Sequence, residues 1–491
     1  MVDILRVKFS NSYKSLPKSF YQQGSPQNSK NPKLIKWNEP LANFLQIGVS
    51  ADEPNNKSTL AQVFSGNKIH ATSQPIAAAY AGHQFGHFVP SLGDGRAHLL
   101  GELKAKDQKL YDIQLKGSGR TGYSRRGDGR SPLGPVIREY IVSEAMFHLG
   151  VPTTRSLAIT ATDEVIYRET PLQGGVLTRV SESLIRVGNF EYFAARNEVQ
   201  NLKLLLDYVV KRNFPQLIEA EDLPLAFFKA LLHRQALLVS KWMSLGFVHG
   251  VMNTDNTSAV GITIDYGPCA FLDETNFNKV FSSIDKNGRY AFSQQPRILQ
   301  WNLARLADSL ILTYDDQQSA AENFEKELAS FPMIYEKHWK SLMLAKIGLK
   351  KQNENNLDIL AVWLNIFEKN SLDFTLSFRA LSKLILNNKS LVAFKNINFP
   401  DGFLQKWIGA VLKEHASLDL AAESMNNVNP CYIPRNHILE EIIKDAYLGA
   451  YEKLTQLLEV IKNPYQIQEG QEYFATPPKI AERVSKTFCG T

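Results

Sequence analysis

The segment HGVMNTDNTSAVGITIDYG, residues 249–267, follows two residues after the long apolar run LAFFKALLHRQALLVSKWMSLG and cannot continue it as a helix. The 3.6-residue recurrence of Leu, Phe, Val and Ala stops, and Asn, Asp, Thr and Gly take over. A polar loop and short strand are therefore expected inside an otherwise helical half. That half runs from about Glu191, and beyond Leu299 it reads as helices separated by Asn-, Pro- and Gly-containing breaks. Upstream, from about Ile69 to Gly188, the period changes to two. AHLLGELKA and KLYDIQLKG read as paired strands, with Asp112, Gln114 and Lys116 sharing one face. PVIREYIVSEAMFHLG reads as a helix, with Pro135 near its start and Gly150 just past its end. RSLAITAT, EVIYRE and GGVLTRV read as further strands.

The expected class is α+β, in four stretches. Residues 1–60, with turn clusters such as QQGSPQNSKNP and ADEPNNKS, read as an irregular lead-in without a site. Residues 61–190 form a strand-rich lobe, 191–315 a helical lobe carrying the polar loop, and 316–491 a helical C-terminal region. No 20–50-residue repeat is evident. Length and composition agree: 491 residues make two or three packed units, and 44% hydrophobic with 21% charged residues is an ordinary globular balance. The formal charge of +6 suits a phosphate-bearing ligand and is too dispersed for a nucleic-acid binder. Three cysteines, Cys269, Cys431 and Cys489, have neither CxxC spacing nor histidine neighbours, so no zinc site or disulfide framework is expected. No run approaches ~18 uninterrupted apolar residues, so no membrane association is expected and a cytoplasmic location fits. The basic, Ser-bearing N-terminus leaves organellar import open.

A strand-rich unit followed by a helical one with an embedded polar loop is the order of elements in a protein kinase. The loop supports it chemically. His249 through Asn256, followed nine residues later by Asp265-Tyr-Gly267, has the H-x-D-x-x-x-x-N and D-x-G form in which the Asn and the second Asp hold the metal ions on nucleotide phosphates. The Asp expected two residues after the His is Val251, which can neither accept nor orient a proton. Asp255 is the nearest replacement base; the competing reading makes Asp255 and Asn256 a plain turn. Lys116 at a strand end and Glu139 on the next helix stand in the order of the phosphate-binding lysine and its positioning glutamate, although a solvated pair would read the same.

Three other patterns in the sequence carry chemistry. GSGRTG, Gly117–Gly122, matches a dinucleotide fingerprint after a strand, but YSRRGDGRSPLGP cannot supply the helix it requires. His83 and His87 in HQFGH have zinc-helix spacing, yet Gln84 replaces the general-base Glu and Gly86 weakens a helix, so paired structural histidines are expected. The loop containing Arg120, Arg125, Arg126 and Arg130 around Asp128 suits phosphate, through glycine-freed backbone N–H groups and Arg forks. Arg179 and Arg186 bracket the passage between lobes. Only Tyr123 offers a stacking aromatic nearby, against a nucleic-acid reading.

GHQFGHFVPSLGDGRAHLLGE, YDIQLKGSGRTGYSRRGDGRSPLGPVIREYIVSEAM, HGVMNTDN and IDYGPCAFLD together resemble the selenoprotein O family, from about residue 40 to the C-terminus. The resemblance implies a kinase-like two-lobe fold that binds ATP in a flipped orientation and transfers AMP to hydroxyl side chains of other proteins. It further implies that Gly93, Gly95, Arg96, Lys116, Asp128, Gly129, Arg179 and Arg186 contact the nucleotide and that Glu139 pairs with Lys116. Asp255 would be the proton acceptor, and Asn256 and Asp265 would hold Mg²⁺ or Mn²⁺. ATP and hydroxyl-bearing proteins are the expected partners. Phosphoryl transfer, a non-catalytic ATP-binding role and UTP as donor stay open. Cys489 occupies the general place of a redox-active C-terminal residue in some members, and a plain thiol is expected there.

Overall fold

The strand Leu110–Lys116 shows how the sequence divides two environments: Ile113 and Leu115 enter an apolar layer, while Asp112, Gln114 and Lys116 face the other way toward polar partners. It lies centrally in an antiparallel sheet. The strand order is β1 (Tyr21–Gln23), β3 (Ile76–Ala78), β6 (Ala97–Lys104), β7 (Leu110–Lys116), β10 (Pro171–Ser181), β9 (Arg155–Tyr167) and β2 (Lys33–Trp37), with β8 (Ser131–Pro132) also on β10. The computed structural model describes residues 5–386, 394 and 396–487, and the architecture is α+β. The expected strands RSLAITAT and EVIYRE are one continuous strand, β9.

The stretch 1–60 is not irregular. It supplies β1 and β2 to the sheet, and α1 (Glu39–Phe44) and α2 (Pro54–Phe64) contribute Leu41, Leu60 and Phe64 to the apolar layer beneath Ile113, Leu115, Val176 and Val180. Asn38 is the N-cap of α1: its Oδ1 accepts the Leu41 N–H at 3.2 Å. Few apolar residues, each well placed, were masked by the polar ones around them.

On the other face lies α3 (Leu133–His148), packed on β9 and β10. It ends as expected at Gly150, whose φ of 77° suits the left-handed C-terminal position. The helical part begins with α4 (Val187–Ala194) and α5 (Val199–Asn213), followed by α6 (Leu223–Leu245). Asp222 caps α6 by accepting the Leu225 N–H, and Gly246 at φ 72° stops it. The polar loop that follows contains no strand of its own. Instead β11 (Phe247–Val248) and β12 (Ala270–Phe271) pair around it, and Thr263 makes an isolated bridge to Thr153. α7 (Gln295–Ile311) underpins the loop: Gln295 accepts the His249 N–H, and the Asn302 amide donates to Met252 O and Thr257 Oγ1. Further helices run from Gln317 to Ala475. Among the described residues, no helix is long and apolar enough to cross a membrane.

One of these later helices, Asn436–Tyr447, lies against α3. Tyr447 OH accepts the Gly134 N–H at 3.0 Å, and Arg138 bonds Asn436 and Glu440. A Cβ on Gly134 would lie 2.9 Å from Ile443 Cγ2 and 3.0 Å from Tyr447 OH. Gly134→Ala should therefore push the two helices apart, at a cost of about 1–3 kcal/mol. A thermal melt should show a lowered Tm, and an unchanged Tm would mean the helices yield freely.

Candidate active site

A cavity of about 680 Å³ opens between the sheet and the polar loop, and the twelve residues that the family resemblance implies for the site all line it. Gly93, Gly95 and Arg96 come from the turn before β6, Lys116 from the end of β7, and Asp128 and Gly129 from the Arg-rich loop. Glu139 comes from α3, Arg179 from β10 and Arg186 from the entry to α4. Asp255, Asn256 and Asp265 complete it from the polar loop.

Asp265 is the electrostatic centre. Its Oδ1 accepts from Lys116 Nζ at 2.9 Å and Arg179 Nη2 at 2.5 Å, and its Oδ2 from Arg186 Nη1 at 3.0 Å. Burial alone would raise this carboxyl, but the charges of Arg179, Lys116 and Arg186 outweigh it and hold it well below the usual range. The residue sits at φ 60°, a left-handed conformation uncommon outside glycine and concentrated at functional sites. Glu139 accepts Lys116 Nζ at 2.6 Å and Arg179 Nε at 3.0 Å, and it too is held low against burial by Arg179 and Lys116. Three cations and two carboxylates thus share one buried knot.

Asp255 differs. Its backbone carbonyl accepts Arg186 Nη1 at 2.8 Å, but its carboxyl group is buried without a direct ion pair, and burial raises it to about 7. Val251, two residues after His249, presents an apolar side chain to the same cavity. His249 is not part of the cavity wall: its Nε2 bonds the carbonyl of Ile264 at 2.9 Å, lashing the loop to the residue before Asp265.

The polar loop also carries oxygen donors suited to a hard cation. Asn256 donates its amide nitrogen to Val251 O at 3.1 Å, and Asn256 and Asp265 line the same cavity. Two such oxygens fit Mg²⁺ or Mn²⁺, which typically take one or two protein ligands plus phosphate and water. Among the described residues no cluster of three or more His, Cys, Asp or Glu forms a self-sufficient cage.

The Arg-rich loop is less uniform than its composition suggests. Arg130 is spent on Glu164, Ser29 Oγ and the carbonyls of Gln27 and Asn28. Arg125 lines the cavity, while Arg120 and Arg126 do not. Both Asp128 oxygens are gripped by Arg168, which lowers its pKa, so Asp128 also orders the loop. His83 and His87 lie on the two strands of a hairpin, β4 (Gly82–Gln84) and β5 (His87–Val89), where His83 pairs with Phe88 and His87 with Gln84, so the zinc-helix spacing is coincidental.

Sequence reasoning passed over Asp94, Tyr80, Arg168 and Asn253. Asp94 accepts the Ala78 N–H at 3.1 Å and Gln114 Nε2 at 3.3 Å, and burial, opposed by Arg186, raises its pKa. The Tyr80 ring lies 4.6 Å from the Arg186 guanidinium. Asp94 stood between two glycines already singled out; Tyr80 had no local signal. Cys269 and Cys431 are buried, whereas Cys489 lies outside the described residues.

A basic cavity lined by carboxylate and amide side chains has the chemistry to receive a phosphorylated ligand. The family model described as "Protein adenylyltransferase SelO" matches residues 3–462, and the chain belongs to that family, which makes it a nucleotidyltransferase. It is 46% identical over 489 residues to "Protein nucleotidyltransferase YdiU" of Rhizobium etli, covering 98% of this chain and 97% of that one. The protein of the same name from Maridesulfovibrio salexigens is 47% identical over 487 residues, 98% of each chain. That of Bacillus cereus is 45% identical over 483 residues, again 98% of each.

Proposed function

We propose that the chain transfers AMP from ATP to Ser, Thr or Tyr hydroxyls of other proteins, on a kinase-like scaffold of two lobes meeting at this cavity. The observation that carries the reading is the placement of Asp255. It is a buried carboxyl group with pKa about 7, beside Asn256 and facing the cation knot, whereas the cavity-lining Val251 offers no base. A base near neutrality is efficient at physiological pH. The incoming hydroxyl gives its proton to Asp255 as its oxygen bonds the α-phosphorus. The α–β bridging bond breaks, and pyrophosphate leaves with the bonding electron pair. Lys116, Arg179 and Arg186 hold the phosphate oxygens, with Arg96, Gly93 and Gly95 along the nucleotide and Asp128 and Gly129 shaping the loop beside it. Asn256 and Asp265 hold Mg²⁺ or Mn²⁺, whose contribution is to neutralise phosphate charge.

Incubated with acceptor proteins and metal, α-labelled ATP should leave its label on protein and γ-labelled ATP should not. Label from the γ position alone would replace this reading with phosphoryl transfer. Intact-mass analysis with ATP and UTP in parallel identifies the group transferred.

A further inference from the structure

The hairpin of β4 and β5 reaches across from the sheet side and grips the polar loop at three successive residues. The main-chain N–H of His83 donates to Thr254 Oγ1 at 2.6 Å, and that hydroxyl donates to Glu191 Oε2 at 2.5 Å. Glu191 Oε1 in turn bonds His83 Nδ1 at 2.5 Å, closing a ring of three side chains. At the hairpin tip Phe85 and Gly86 have φ of 52° and 87°, the left-handed pair of a tight two-residue turn. Phenylalanine is unusual there. Its N–H lies 3.1 Å from both Asn253 Oδ1 and Tyr290 OH, and its ring lies 5.1 Å from that of Tyr290 at a tilt of 58°, so tertiary contacts hold the turn in place.

Between these two anchors stands Gln84. Its Nε2 donates to Asp255 Oδ2 at 3.3 Å, while Asp255 Oδ1 is buried and makes no hydrogen bond. Gly82, on the same strand, lies so close that a Cβ there would come within 2.7 Å of Oδ1. The hairpin thereby holds the carboxylate at both oxygens, Oδ2 through the Gln84 donor and Oδ1 by close packing against Gly82. We infer that Gln84 is a positioning residue for this reaction: by donating to Asp255 Oδ2 it fixes the orientation in which the carboxylate receives the proton of the acceptor hydroxyl. The inference rests on Asp255 as the base. A kinase-type loop takes its base from two residues after the histidine. Here that position is apolar, and the aim of its replacement is set by a hairpin more than 160 residues earlier in the chain.

Gln84→Met keeps the length and volume of the side chain and removes only the donor; Gln84→Ala removes both. Both variants should lower kcat for transfer by about 10- to 100-fold, the loss that a misplaced catalytic group incurs. KM for ATP should stay within about two-fold, because the donor is committed to Asp255. Thermal melts should show both variants folded. Wild-type kcat in Gln84→Met would overturn the inference, as would a rise in KM without a fall in kcat. Recovery in Met of the activity lost in Ala would assign the side chain to packing. Asp255→Asn assayed in parallel separates the two levels. Full activity in that variant overturns the base assignment itself, whereas its loss alongside an active Gln84→Met overturns only the role of Gln84.

Discussion

Asp265→Asn should reduce transfer by about 10³-fold or more and also destabilise the protein, two effects with separate origins. The activity loss follows from replacing a charged oxygen ligand by a neutral amide where phosphate charge must be offset. The stability loss follows from the knot around it. Lys116, Arg179 and Arg186 all bond this one carboxylate, and Arg179 and Arg186 are almost completely buried. Removing the anion leaves Glu139 to balance Lys116 and Arg179 and only the longer Asp94 contact, 3.9 Å, to balance Arg186, and breaking a buried pair from one side costs about 3–5 kcal/mol. The amide cannot restore the balance, since one of its ends now presents N–H groups to guanidinium donors. The cost should appear as a lowered Tm in metal- and nucleotide-free protein, and activity assays with Mg²⁺ and Mn²⁺ should both show the loss. An Asp265→Asn protein as stable as the parent would mean that water or side-chain rearrangement replaces the lost charge. One that transferred AMP normally would remove Asp265 from the metal site.

The parts of this site that were legible in the sequence are those where chemistry is written in a short local pattern. Lys116 was readable because period-2 alternation put it on the polar face of a strand. Glu139 was readable from the helix that follows, and Asn256 with Asp265 from their spacing. The three-residue knot of Glu139, Lys116 and Asp265 follows once those elements pack. What stayed hidden depends on contacts distant in sequence. Gln84 looked like a defect in a zinc motif, because nothing in HQFGH says that it folds as a hairpin against residues 253–255. Arg130 looked like a phosphate ligand, because the carbonyls that consume it belong to residues 27 and 28. The first sixty residues looked irregular because β2 has five residues and borrows most of its hydrophobic partners from elsewhere. Local composition records what a segment can do alone, and these segments do little alone.

Asp255→Asn should behave oppositely to Asp265→Asn in stability while matching it in activity. Loss of the base should lower transfer by about 10²–10⁴-fold, the usual contribution of general-base catalysis. Folding, however, works against this carboxylate. Asp255 is buried with one oxygen unpartnered, and burial lifts its pKa to about 7. Well below pH 4 the group is protonated in both folded and unfolded chains and costs nothing. As pH rises past the ordinary carboxylate value near ~4, the unfolded chain ionises first and is favoured, so the parent protein loses stability up to about pH 7. Above that both states are ionised and the full cost of burying the charge persists. The asparagine variant has no such titration. In metal-free protein its Tm advantage should therefore grow between about pH 4 and pH 7, reach about 2–5 °C and then level off. Melts of the two proteins across that range test this directly. A gap that is constant with pH would place the ionisation of Asp255 near its unfolded value, and a gap that narrows as pH rises would mean that the folded state favours the charge. Because Gln84 stabilises the ionised form, Gln84→Met in the parent background should widen the gap at neutral pH, linking the hairpin contact to the same carboxylate by a measurement independent of turnover.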